Sequence, residues 1–282
     1  MKLESGPFPS RDGTRLYGEW HRPSGTPRGV AIVIHGYADH GGRYVEVSQK
    51  LAGLGLAALA IDYRGHGRAD GRRGHCELFT EYLDDLDSAI ARARAAVPTG
   101  PLLLVTHSHG GLIGLRALTD RRRPVRVDGI VCSSPFLGMG GATPPQAKII
   151  AGKVASRILP ALSMPNGLQI DDLTHDEEIK RVSRADNLRH DVATARWFTE
   201  MTAAQEFVLH NAQHLAVPSL WLVGAADPIV SVEATKRVYE RAGGDKRIKY
   251  YDGYFHEIFN EVGRALVFQD LTQWISSKFL AS

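Results

Sequence analysis

Cysteine is scarce in this chain. The 282 residues hold two, Cys76 and Cys132, too few for a disulfide framework. Cys132 lies in the apolar stretch GIVCSSP and is expected in the core. An excess of one charge is also lacking: 34 Lys and Arg against 31 Asp and Glu leave a formal net charge of +3. That balance gives no case for a nucleic-acid partner. The runs Arg72-Arg73 and Arg121-Arg122-Arg123 are short and read as solvated surface. No run reaches the roughly 18 apolar residues of a membrane span. The opening MKLESGPFPSRDG carries no apolar signal core, so a reducing cytoplasm is the expected location. Phosphate-loop and dinucleotide fingerprints are missing. His210 and His214 stand four apart without the glutamate of H-E-x-x-H or a third ligand, so no metal and no cofactor is expected.

What is present is a repeated rhythm. Short apolar runs at 29–36, 54–62, 101–108, 127–135, 218–227 and 246–253 each end in a turn. Helical patterns lie between them at 43–53, 79–97, 110–120, 231–242 and 261–279. In the last, Leu266, Leu271, Trp274, Ile275 and Phe279 form the expected buried stripe. Runs that are continuous rather than alternating predict a mostly parallel sheet covered on both faces, an α/β fold. The first segment alternates around Arg11-Asp12-Gly13 and predicts an antiparallel hairpin at the sheet edge.

The rhythm breaks between residues 136 and 210. LGMGGATPP is a loop whose prolines, Pro144 and Pro145, suit a helix start. The next segment puts Ile150, Val154 and Ile158 on one stripe, a helix stopped near Pro160. Residues 136–210 are therefore expected to form a cap over the carboxyl edge of the sheet. Residues 1–135 and 211–282 are expected to form the core.

Parallel sheets place chemistry beyond the carboxyl ends of their strands. His35, Asp62, Ser108, Ser134 and Asp227 fall there. In LLLVTHSHGGL, Ser108 follows an apolar strand and precedes a glycine-rich helix start. This is the setting of a nucleophile elbow, although Thr106 occupies the place of the first glycine in G-x-S-x-G. A serine hydroxyl needs a base, a carboxylate to orient that base, and donors for the oxyanion. Asp227, after WLVG, and His256, after KYYDGYF, follow Ser108 in the order of such a triad. The backbone N–H groups of Tyr37 and His109 are the candidate oxyanion donors. Asp84, Asp85 and Asp87 are expected on a solvated helix face. No clustered acidic pocket that would select an amino terminus is legible. Ser108 is expected in a strained backbone conformation.

These residues taken in order, HGYADHGGRY, DYRGHGRADGRRG, THSHGG, GAADPIV and FHEIFNE, resemble the α/β-hydrolase superfamily, in particular its monoacylglycerol lipase and lysophospholipase branch. The resemblance spans essentially the whole chain. It implies an eight-stranded sheet with a helical cap inserted after strand six, and hydrolysis of a single-chain acyl ester by Ser108, Asp227 and His256. It further implies that Asp39, Arg43 and His107 line the head-group end of the site. His35, which ends its strand in the same loop system, is expected among the substrate-binding residues as well as tying down the loop. Phe259 stands three residues after His256, where monoacylglycerol lipases often carry a second histidine, which puts strict monoglyceride preference in doubt. Ile150, Val154 and Ile158 would offer apolar surface to an acyl chain, or make a transient peripheral contact with a membrane surface.

The expected function is a cofactor-free serine esterase acting on monoacylglycerols or lysophospholipids, its partner a lipid or small ester substrate. The same residues also fit a small-ester or thioester hydrolase or an acyltransferase. A reading of another class is a non-catalytic ligand-binding protein on a hydrolase fold.

Overall fold

The structure, a computed structural model, describes residues 4–141 and 146–280, with the backbone alone for 146–149. Pro144 and Pro145 lie outside the described residues. Eight strands form one sheet: β1 (Gly6–Pro9), β2 (Arg15–His21), β3 (Gly29–Ile34), β4 (Leu56–Asp62), β5 (Leu102–His107), β6 (Gly129–Ser133), β9 (Ser219–Gly224) and β10 (Lys246–Tyr251). Their order is β1-β2-β4-β3-β5-β6-β9-β10. From β4 to β10 every pairing is parallel, and β2 runs antiparallel to both neighbours.

The continuous apolar runs have the expected cause. Every residue of β3, β4, β5, β6 and β9 is buried. Successive side chains enter opposite layers, as a pleat requires. Val30, Ile32 and Ile34 point into one core, Ala31 and Val33 into the other. The first core is closed by α2 (Thr80–Ala96), α3 (His109–Leu118) and α7 (Val232–Arg241). The second is closed by α1 (Val45–Gly53) and α8 (Arg264–Ile275). Strand β2, with one face half-covered, alternates instead.

Two expectations are corrected here. In α8 the buried stripe is Val267, Phe268, Leu271, Trp274 and Ile275, while Leu266 is exposed. Asp85 is not on a solvated face: it is fully buried, accepts from Ser10 Oγ at 2.6 Å and pairs with Arg64 at 2.7 Å. Its helix neighbours Asp84 and Asp87 pair with Arg123.

Between β6 and β9 the chain leaves the sheet and builds the cap. It contains α4 (Gln146–Ile158), α5 (Glu177–Ala185) and α6 (Ala195–Asn211), together with a small antiparallel pair, β7 (Ser163–Pro165) with β8 (Val192–Thr194). That pair was not legible, since three residues per strand carry no usable period. Helix α6 joins cap to core: Trp197, Met201, Ala204 and Val208 are buried in the first core. Helix α4 turns small residues inward, with Ser156 Oγ and Thr199 Oγ1 2.7 Å apart across the contact with α6. Ile150, Val154 and Ile158 face out.

Candidate active site

The strand-to-helix corner after β5 carries Ser108 with φ 52° and ψ −114°, a left-handed conformation unfavourable for any residue with a Cβ. The corner is held on three sides. Ser108 N–H donates to Ser133 C=O at 2.9 Å, and Ser108 C=O accepts from Phe136 N–H at 2.9 Å and Leu112 N–H at 3.1 Å. A side chain at Gly110 would collide with the Ile34 and His35 carbonyls, so the corner can only close on glycine there. Thr106 fits because its polar arm and its methyl go different ways. Its hydroxyl donates to Val131 C=O at 2.7 Å. Its Cγ2 lies under Gly114, where an added Cβ would stand 3.4 Å away. The helix glycines therefore make the room that a glycine at position 106 would have made. Ala38 and Ser134 share the positive φ of Ser108, and all three sit at the same end of the sheet.

His256 follows β10 and faces the same cavity as Ser108. Its Nδ1 donates to Asp227 Oδ2 at 2.7 Å. Asp227 Oδ1 accepts from the N–H groups of Ile229 and Val230 at 2.8 and 3.0 Å, which fixes the carboxylate. A side chain on Gly224, at the end of β9, would strike the Phe255 carbonyl, so glycine lets the two loops meet. Burial pushes the His256 pKa down, but the Asp227 carboxylate beside it prevails, and the pKa stands above the ordinary histidine value. Asp227 is held below the usual carboxylate range, against burial, by the charge and hydrogen bond of His256. Among the described residues no hydrogen bond yet joins Ser108 to His256; such bonds often tighten only when substrate is bound.

The N–H groups of Tyr37 and His109 make no hydrogen bond among the described residues. The peptide carrying the Tyr37 N–H is anchored through its carbonyl. Gly36 C=O accepts from Tyr63 Oη at 2.9 Å and lies 2.7 Å from His35 Nδ1. Behind it, Trp197 Nε1 donates to His109 Nε2 at 3.4 Å, and His109 Nδ1 lies 3.1 Å from Tyr63 Oη. Indole is a donor only, so His109 accepts on Nε2 and, when neutral, holds its proton on Nδ1. Burial, with His35 adding to it, lowers the His109 pKa to about 3, so the ring is neutral. His35 is fully buried and stacked on Tyr63 at 4.1 Å. It does not reach the cavity, and acts on the loop rather than on substrate.

The cavity has a volume of about 240 Å³. One side is apolar: Phe136, Met164, Leu168, Trp197, Phe198 and Met201 line it. The other side is charged. Asp39 and Glu257 stand on the wall, joined by the Arg43 guanidinium behind them. Arg43 Nη1 donates to Asp39 Oδ1 at 3.1 Å and Glu257 Oε1 at 2.8 Å, and Nη2 to Glu257 Oε2 at 2.8 Å and Ser183 Oγ at 2.8 Å. Burial would raise both carboxyls, but Arg43 prevails. Asp39 lies well below the usual range and Glu257 at about 2. His107 lines the cavity with its Nδ1 3.1 Å from Ser133 Oγ, its pKa lowered to about 3 by burial and by neighbouring His256.

The expected residues thus divide. Tyr37, Asp39, His107, Ser108 and His256 line the cavity, with Asp227, His109 and Arg43 directly behind. Five do not reach it, His35 among them. Phe259 is buried in the second core against Phe268, ring centroids 5.8 Å apart, and cannot touch substrate. Ile150, Val154 and Ile158 are 59%, 50% and 70% exposed on the outer face of the cap. They point away because α4 packs on α6 through its small residues. Glu257 and Arg189 also line the cavity and were not foreseen. Glu257 was signalled only by standing next to His256. Arg189 comes from a cap turn with no periodic pattern. The acidic pair was equally unforeseen, since its members lie 218 positions apart.

A family model described as "Serine aminopeptidase, S33" matches residues 25–263. The chain is 31% identical to a monoacylglycerol lipase of Mycolicibacterium smegmatis over 96% of each chain. It is 31% identical to a phospholipase of Bacillus subtilis, over 89% of this chain and 96% of that one. The crystal structure of a Paleococcus ferrophilus monoacylglycerol lipase superposes with a TM-score of 0.83 at 30% identity, covering 93% of this chain and 99% of that one. The sheet, the cap after its sixth strand and the elbow serine define an α/β-hydrolase. The chain belongs to the serine aminopeptidase S33 family and, within it, to the monoacylglycerol lipase branch.

Proposed function

We propose that the protein is a serine carboxylic ester hydrolase of single-chain lipids, monoacylglycerols or lysophospholipids, working through an acyl-enzyme. The observation that carries this reading is the elbow geometry: Ser108, strained at the start of α3, shares a cavity with a histidine bound to a buried carboxylate at 2.7 Å. His256 Nε2 takes the Ser108 proton as Oγ attacks the ester carbonyl. The Tyr37 and His109 N–H groups stabilise the oxyanion that forms. Collapse breaks the ester C–O bond, and the His256 proton goes to the departing alcohol. Water, deprotonated by the same His256, then attacks the acyl-enzyme and releases the fatty acid. Asp227 holds the imidazole in the tautomer this requires.

The apolar wall supports an acyl chain, and the charged wall a polar head group. The Asp39 and Glu257 carboxylates do not favour an amine substrate, since Arg43 already spans both. On a monoacylglycerol, Ser108→Ala should lose at least about 10³-fold in turnover. Near-normal turnover would overturn the assignment. A panel of acyl lengths separates the lipid reading from a small-ester hydrolase, which would peak at the shortest chains.

A further inference from the structure

Arg189 stands on the cavity wall, ion-paired with Glu257 at 3.8 Å but without a hydrogen bond from its guanidinium among the described residues. Its side chain is 11% exposed, and it lines the same cavity as Ser108 and His256. Among the described residues it donates no side-chain hydrogen bond, and Nη1 is buried without a partner. Glu257 Oε1, 3.8 Å from Nη1, is out of hydrogen-bonding range. A buried guanidinium with idle N–H groups is costly unless a ligand completes it. The backbone that carries it is fixed. Arg189 N–H donates to Asp186 C=O at 3.3 Å, and Leu188 N–H to Asp186 Oδ1 at 2.9 Å. Asp186 Oδ2 in turn is bound by His40 Nε2 at 2.7 Å. The turn is thereby pinned to the loop that bears Tyr37 and Asp39.

The remaining charges on this wall are satisfied, since Arg43 bridges Asp39 and Glu257. Together with Arg189 the four side chains sum to zero. A head group of zero net charge leaves this wall neutral, whereas a lone anion does not. The planar fork of an arginine matches two phosphate oxygens. We propose that Arg189 is a specificity-determining residue that receives the phosphodiester of a zwitterionic single-chain phospholipid while its acyl ester lies at Ser108. This rests on the serine-esterase reading given above.

The test compares 1-acyl lysophosphatidylcholine with a 1-monoacylglycerol of the same acyl chain, on wild type, Arg189→Gln and Arg189→Lys. The ratio of the two kcat/KM values should fall about tenfold or more in Arg189→Gln, the size of a lost charged hydrogen bond. It should fall less in Arg189→Lys, which keeps the charge and loses the fork. If Arg189→Gln does not fold, the ratio in Arg189→Lys decides alone. An unchanged ratio overturns the proposal, whether both rates drop together or neither does. Sodium phosphate serves as the free-anion probe. If it competes with monoacylglycerol in wild type but not in the Gln variant, the occupant is a free anion and the head-group assignment fails. Failure of the underlying reading looks different: wild type would hydrolyse neither lipid, or Ser108→Ala would retain turnover.

Discussion

The Gly36–Tyr37 peptide shows how much of a site can rest on residues that touch no substrate. Its carbonyl is met by Tyr63 Oη and lies beside His35 Nδ1, and Tyr63 is held in turn by His109. Each bond fixes the plane in which the Tyr37 N–H points. Tyr63→Phe removes one anchor and keeps the ring stack. With a neutral bond worth about 1 kcal/mol, kcat should fall by roughly fivefold while KM for a soluble ester stays within twofold. Steady-state kinetics read this split. A rise in KM alone would mean that Tyr63 shapes the cavity instead of positioning the donor.

At the scale of elements, strands β3, β4, β5, β6 and β9 were legible because burial on both faces writes an unbroken apolar run. Ser108 and Asp227 were legible as candidates because each lies just beyond such a run, and His256 because it follows them in triad order after the half-buried β10. The β7–β8 pair was too short to leave a period. Of the charged wall, Asp39 and Arg43 were named through the family resemblance, whereas Arg189 and Glu257 were not legible because they come from separate loops and meet the others only in space. Helix α4 shows the limit of periodicity in another way. The stripe Ile150, Val154, Ile158 was real, but a stripe does not say whether it faces protein or solvent. Here it faces out, continued by exposed Leu159 and Leu162. An apolar patch on the outer face of the cap is what contact with a lipid surface would use. Val154→Asp with Ile158→Asp should lower turnover of vesicle-embedded monoacylglycerol several-fold relative to a soluble ester. Equal effects on both substrates would remove the surface role from α4.

For the whole molecule, the notable cost is the set of buried neutral histidines. His107 and His109 are lowered to about 3 and His190 to about 4, each chiefly by burial, and His35 and His66 shift in the same direction for the same reason. Their folded pKa values lie below the 6.5 of a free histidine, so the unfolded chain binds more protons. The stability they permit is full above pH 6.5 and is lost as pH falls from there towards 4. The slope is about 1.4 kcal/mol per pH unit for each such histidine. Urea midpoints should therefore decline steeply between pH 6.5 and 4. The low-pKa carboxylates Asp39 and Glu257 add a further loss below pH 4. A midpoint flat across that range would contradict burial of neutral rings.

Tyr37 belongs to two parts of the molecule at once. It lines the cavity, while its phenol shares one proton between the Gly74 and Val192 carbonyls, 3.1 and 3.0 Å away, and its ring stacks on Trp197 of the cap, 3.8 Å between centroids. The cap cannot lift without pulling on the residue proposed to hold the oxyanion. On the proposed mechanism, any displacement of the cap would therefore disturb the oxyanion donor with it, through the Tyr37 ring and phenol.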